Sequence, residues 1–355
     1  DAEFLASSLP EHIILSKALA NSPRPRALVP FYYRATPASR TAKAEFAHED
    51  ITLATLVTHS RFTVFKRLVE RYDGPISVAV HHEWSHAHPA VASQLRALHV
   101  LYTSSPRFAE RVDVHLVLAP HERALNTWRN VARQLARTGL VMMLDVDFAV
   151  CTDFRGALLN LGVVGARDAA GAGAIVPAFE YTRLRDGMDS RTFPRDKQSL
   201  LALVHSGKLD MFHRSWQPGH NSTDYTRYYA AAPGEVYKVD RYQAAYEPYV
   251  VFRRDGPPWC DERFVGYGGN KAACLFEMYL SGVSFYVLSD HFLIHQTHPY
   301  EEAARKAERK SNKKLYQDFK EEACLRYLRR HRDAGTLAGA LGHNVRKECL
   351  KMRGV

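Results

Sequence analysis

Short apolar runs alternate with segments of helical period along the first half of the chain. Residues 50–59 are almost entirely apolar or β-branched and predict a strand, while residues 62–72 space their apolar positions three and four apart and predict a helix. After the turn Asp73-Gly74-Pro75 the pattern repeats: strand at 76–80, helix at 90–101, strand at 112–118, helix at 124–138, strand at 140–144. This alternation predicts an α/β fold with a Rossmann-like, mostly parallel sheet flanked by helices, a design that binds ligands beyond the carboxyl ends of its strands.

The flanks read differently. Residues 1–47 carry Pro23, Pro25, Pro30 and Pro37 with little period, which predicts a stem or wrapping segment, and from residue 301 to 355 the chain is charged and helical. That leaves residues 48–300 as the main domain. Its second half predicts strands at 175–181, 249–253 and 283–289 and helices at 196–206 and 270–280. Residues 211–235, rich in aromatics, His and Gly without a clear period, suit a substrate-facing region.

The apolar run 141–144 ends in Asp145-Val146-Asp147, a DxD pair. On a strand, side chains at i and i+2 share a face, so the two carboxylates repel each other unless a cation joins them. Hard oxygen ligands suit Mg2+ or Mn2+, and solvated loop aspartates are the plainer alternative. His295 or His298, just beyond the strand predicted at 283–289, would add a nitrogen ligand. Asn126, Arg129 and Asn130 share one face of the helix leading into the acidic strand, where they hold a nucleobase or phosphate or are simply solvated. In residues 259–271 (WCDERFVGYGGNK), Asp261 or Glu262 offers a general base, the alternative being a salt bridge to Arg263 or Lys271; the glycines permit close backbone approach to a ligand. His82-Glu83-Trp84-Ser85-His86 matches the zinc-protease pattern HExxH, but it follows a strand and precedes Pro89, which argues against the long helix that such a site needs.

Composition narrows the partners. The 355 residues carry a formal charge of +10, which favours an anionic partner, and no nucleic-acid motif accompanies the charge. No run of eighteen apolar residues and no signal peptide is present; membrane attachment is expected only through an N-terminal anchor removed from this sequence. Five cysteines lack CxxC spacing, so they predict no zinc site, and disulfides only in an oxidising compartment.

Taken in order, these motifs resemble glycosyltransferase family 49, the group with the LARGE-type glucuronyltransferases that act on dystroglycan glycans. The resemblance runs from residue 50 to 298. It is carried by 56–62 (LVTHSRF), 67–80 (RLVERYDGPISVAV), Asn126 with Arg129 and Asn130, 144–147, 176–180 (VPAFE), Gly219-His220, 246–251 (YEPYVV), 261–271 and Ile294-His295. It implies a GT-A fold, a UDP-sugar donor, a glycan or glycoconjugate acceptor, Mn2+ (or Mg2+) and inversion at the anomeric carbon. The metal roles pass to Asp145, Asp147 and His295, with His298 as second choice. Donor contacts pass to Thr58, Arg61, Arg129, Asn130, Asp145, Val146, His220, Gly268, Asn270, Lys271 and His298. Asp261 is the expected base and Glu262 the second. Glucuronic acid is the first expectation for the sugar, with xylose, galactose or N-acetylglucosamine as alternatives and a non-catalytic glycan-binding protein as the rival. The implied location is the Golgi or secretory lumen, as a type II membrane protein. The LARGE-type pattern has Trp where this chain has Gly269, and no second transferase domain precedes, so two-domain polymerase activity is not expected.

Overall fold

The computed structural model describes residues 25–38, 45–83, 88–119, 123–161, 171–298 and 302–352. Its strands are β1 (Ala27–Tyr33), β2 (Ile51–Val57), β3 (Ile76–Glu83), β4 (Val112–Ala119), β5 (Leu140–Met143), β6 (Phe148–Val150), β7 (Ala172–Val176), β8 (Ala178–Tyr181), β9 (Leu209–Met211), β10 (Val236–Lys238), β11 (Tyr249–Arg253), β12 (Ser284–Leu288) and β13 (Leu293–His295). The helices are α1 (Phe62–Arg71), α2 (His88–Thr103), α3 (Pro106–Arg111), α4 (Leu125–Gln134), α5 (Phe154–Leu161), α6 (Lys197–His205), α7 (Tyr225–Ala230), α8 (Asn270–Leu280), α9 (Glu302–Asp333) and α10 (His343–Cys349).

A nine-stranded sheet in the order β1-β4-β3-β2-β5-β11-β7-β12-β10 forms the centre. The run β4-β3-β2-β5 is parallel, as the alternating pattern predicts; antiparallel pairing enters with β1 at one edge and with β11, which inserts between β5 and β7. The sheet is therefore mixed, with its parallel part in the first half of the chain. Strand β2 is buried along nearly its whole length because helices cover both faces of this region. On one face, Phe65, Leu68 and Val69 of α1 join Leu98 and Phe108 over the strands. On the other, Ala54, Ala79 and Val117 leave a shallow floor on which Ala124, Trp128 and Ala132 pack, so α4 lies close to the sheet.

Three stretches leave this sheet and enter a smaller one of order β6-β13-β8-β9. The strand expected over 175–181 is broken at Pro177, whose missing N–H cannot serve a ladder; β7 stays in the large sheet and β8 joins the small one. The chain breaks likewise between β5 and β6, at Leu144-Asp145-Val146-Asp147, and between β12 and β13. The break between β5 and β6 holds the acidic pair, and β13, antiparallel to β6, ends beside it with His295 opposite Phe148.

The ends of the described chain pack against the main domain in different places. Strand β1 pairs with β4, and the Ala35 amide donates to Asp113 Oδ1 at 2.9 Å. Helix α9 buries Phe319, Ala323, Cys324 and Tyr327 beside α8, where each large apolar side chain contributes roughly 1.5–3 kcal/mol. Disulfides join Cys260 to Cys274 and Cys324 to Cys349, and Cys151 is free and buried. No helix among the described residues is long and apolar enough to cross a membrane.

Candidate active site

Asp145 and Asp147 are not side by side on one strand. Residues 144–147 turn between β5 and β6, with the Phe148 amide donating to Asp145 O at 3.1 Å, and the turn gives each carboxylate its own partners. Asp145 Oδ2 accepts from Lys271 Nζ at 2.7 Å and from the Tyr249 hydroxyl at 2.8 Å, and Oδ1 accepts from Arg129 Nη2 at 3.1 Å. Burial opposes its charge, but Lys271 and then Arg129 outweigh that and hold the carboxyl well below its ordinary range.

Asp147 Oδ2 lies 2.8 Å from His298 Nε2 and 3.9 Å from His295 Nε2. Burial again opposes the charge, and the two imidazoles, with Arg61 behind them, reverse the balance and keep Asp147 ionised. Strand β13 delivers His295 by register, opposite Phe148 on β6 and Glu180 on β8, and the Gln296 amide donates to Asp147 O at 2.7 Å. One ligand atom from each of Asp147, His295 and His298 lies within 4.8 Å of the others, the single group of this kind among the described residues. A carboxylate and two imidazoles fit a divalent ion such as Mn2+.

The expected donor contacts divide into three sets. Arg61, just past β2, reaches the cluster, its Nη2 lying 3.1 Å from His298 Nδ1. Thr58 directly follows the same strand and its hydroxyl lies 3.1 Å from that of Ser60. His220 is buried; burial first and Lys271 second push its imidazole well below its ordinary pKa, so it is neutral.

Asn126, Arg129 and Asn130, expected to face a nucleotide, are buried and bonded to protein. Asn126 Nδ2 donates to Asp261 O at 2.7 Å and Asn270 O at 3.0 Å, Arg129 Nη1 donates to Asn270 Oδ1 at 2.7 Å, and Asn130 Nδ2 donates to Cys260 O at 2.9 Å. This helical face braces the loop 260–270 against Asp145 because that loop folds over α4.

Other expectations meet a geometry of their own. Both oxygens of Asp261 are held by Arg263, whose Nε lies 3.0 Å from Oδ1 and whose Nη2 lies 2.6 Å from Oδ2; the salt bridge weighed as the alternative is what forms. Gly268, at φ 100°, and Gly269, at φ 71°, let the loop approach other parts of the protein: a Cβ on Gly268 would lie 3.1 Å from Arg309 Cα, and one on Gly269 would lie 3.2 Å from Tyr316. The side chain of Val146 is buried in the core beneath the turn. Glu262 accepts at 2.8 Å from Asn130 Nδ2. His82 and Glu83 lie on strand β3, with His82 Nδ1 2.9 Å from Gln94 Oε1, while His86 lies outside the described residues.

Glu247 and Tyr249 were missed as site residues. Glu247 Oε1 accepts at 3.3 Å from the Ala272 amide at the start of α8, beside Lys271. Burial raises its proton affinity above the ordinary carboxyl value against the pull of Lys271 and Arg129. The hints in the sequence are the segment 246–251 itself and Pro248, which directly precedes β11 and restricts the backbone of Glu247.

The family described as "Glycosyl-transferase for dystroglycan" matches this chain over residues 50–124 and 121–328. Human xylosyl- and glucuronyltransferase LARGE2 is 36% identical over 258 residues, which cover 70% of this chain and 33% of that protein. The rat LARGE2 is 35% identical over 257 residues, covering 70% and 34%, and human LARGE1 is 30% identical over 255 residues, covering 70% and 31%. The chain thus spans about a third of the length of these relatives. A solved structure of GalNAc-T7 with UDP, GalNAc and Mn2+ aligns with a TM-score of 0.41 and 12% identity over 71% of this chain and 44% of that one, too slight a likeness to carry an argument. With a family match over residues 50–124 and 121–328, most of its length, the chain belongs to glycosyltransferase family 49.

Proposed function

We propose that the protein is a metal-dependent, inverting glycosyltransferase of GT-A type that transfers a sugar, glucuronic acid in the first place, from a UDP-sugar to a glycan hydroxyl. The observation that supports this most is the convergence of Asp147, from the turn between β5 and β6, with His295 and His298, from the end of β13 and just beyond it. These three hold the cation, and Asp145 adjoins them as the second carboxylate of the pair. When bound, Mn2+ (or Mg2+) supplies charge neutralisation for the UDP leaving group. Arg61, Thr58, His220, Asn270 and Lys271 surround the donor, with Lys271 and Arg129 as cations in contact with Asp145 and Arg61 against His298. Arg129 and Asn130 keep Asp145 and the loop 260–270 in place. The two disulfides support a lumenal, oxidising location such as the Golgi.

The proton of the acceptor hydroxyl goes to Glu247, the carboxylate beside Lys271 that accepts from the Ala272 amide; the proton affinity that burial raises suits the task. Glu247→Gln keeps the hydrogen bond from Ala272 and is expected to lower kcat by roughly 10²–10⁴-fold with little change in UDP affinity. Glu262→Gln and Asp261→Asn run beside it: a matching loss in Glu262→Gln alone would move the role to Glu262. Unchanged turnover in Glu247→Gln removes Glu247 from the chemistry.

The whole reading is tested by release of UDP from UDP-glucuronic acid, UDP-xylose, UDP-galactose and UDP-N-acetylglucosamine with Mn2+. Turnover is expected to be fastest with UDP-glucuronic acid. Failure to bind or turn over any of the four overturns it, and glycan binding that ignores UDP and metal would then favour the non-catalytic rival.

A further inference from the structure

Trp216 is 59% exposed, in a fold where Trp128 is only 1% exposed and Trp259 lies under Arg133. It sits in a short 3-10 segment, Arg214–Gly219, whose two ends are fixed in the candidate active site. Before it, Phe212 packs its ring 5.0 Å from that of His295 and 5.1 Å from that of His220. The His213 amide donates to Glu180 Oε1 at 2.9 Å, and Glu180 is the register partner of His295. Behind it, Gly219 O accepts from the Glu247 amide at 2.8 Å.

The backbone is shaped to present this one ring. His213 is left-handed at φ 54°, a conformation that costs a residue with a Cβ about 1–2 kcal/mol, and the Trp216 amide closes the turn on His213 O at 2.7 Å. A Cβ on Gly219 would lie 3.1 Å from Trp216 Cδ1, so glycine lets the indole rest against the chain while the rest of it faces solvent. The turn thus holds a large flat apolar side chain exposed beside the candidate active site, where it offers a face for stacking.

The surrounding charges say what it would bind. Glu180 and Asp210 are cross-strand partners on β8 and β9, and the nearby Arg214 is already paired with Asp210. An acidic sugar would meet that carboxylate pair with no free cation from this segment to offset it. A neutral pyranose would lay its C–H face on the indole and give its hydroxyls to the carboxylates.

We infer that Trp216 is a stacking platform for a neutral pyranose of the acceptor glycan, with Glu180 and Asp210 as hydroxyl partners. The inference rests on the proposed transferase only for the word acceptor; the sugar site itself is open to a separate test. Saturation-transfer NMR with methyl β-xyloside, methyl β-glucoside and methyl β-galactoside, without donor, is expected to detect binding of at least one by the wild-type protein. Trp216→Ala should weaken that binding about tenfold, and raise KM for that glycoside as acceptor to match, while Trp216→Phe retains most of both. Equal binding by Trp216→Ala and wild type overturns the platform, as does a wild-type protein that binds none of the three. If the wild type releases no UDP from any donor but loses glycoside binding in Trp216→Ala, the transferase reading fails and the sugar platform stands.

Discussion

Asp147→Asn is expected to lower turnover of the UDP-sugar by roughly three orders of magnitude and to abolish Mn2+ binding at micromolar concentrations. Asn is nearly isosteric with Asp, so the turn and the hydrogen bond from the Gln296 amide to residue 147 survive, and the melting temperature should stay within a few degrees of wild type. The missing element is charge. His295 and His298 face a neutral amide, and a carboxylate and two imidazoles become two imidazoles alone. Mn2+ affinity by electron paramagnetic resonance and UDP release measure the two parts separately. His298→Ala should weaken Mn2+ as well, and it also frees Arg61, whose guanidinium lies 3.1 Å from that ring. Undiminished Mn2+ affinity in both variants would end the proposal that this cluster holds the metal.

A second large effect is expected far from any ligand. Arg133 is fully buried on α4, donating to Arg254 O at 2.6 and 2.8 Å, Pro257 O at 2.6 Å and Pro258 O at 2.8 Å, with Trp259 stacked 4.2 Å away. Three carbonyls of one loop thus depend on one guanidinium. Lysine carries a point charge without the planar fork, so Arg133→Lys leaves at least one or two of these carbonyls without a donor and is expected to cost about 3–5 kcal/mol of stability. The same loop leads into Cys260, whose carbonyl and amide are held by Asn130, so the variant should also loosen the contacts of Asn126 and Arg129 with Asn270. Urea denaturation gives the first quantity; weaker UDP binding by protein that remains folded gives the second. A loss under 1 kcal/mol would mean that water replaces the guanidinium freely.

The α/β order of residues 50–144 could be read from periodicity because each of those strands and helices buries one predictable set of apolar positions. Residues 270–280 were equally legible, since Asn270–Leu280 is apolar nearly throughout and begins after two glycines that can take positive φ. The strand at 175–181 was half legible: its apolar run was visible, while the change of sheet at Pro177 depends on what lies alongside. Periodicity was also misleading at the acidic pair, where a two-residue spacing means one shared face only if the strand continues, and here it turns.

The chemistry divides in the same way. The sequence alone determined that an apolar strand ends in Asp145 and Asp147, that histidines follow a late strand, and that an Asn-Arg-Asn face leads into the site, because each is a local pattern. Which carboxylate takes which partner was decided by tertiary structure alone. Lys271 and Arg129 reach Asp145, and His295 and His298 reach Asp147, across separations of 16 to 151 residues that no local spacing encodes. Arg263 claims Asp261 from only two residues away, yet its choice of that carboxylate is shared with Glu322 on α9, so it too belongs to the packed chain. Local sequence can supply a charge; only the fold can set the field around it.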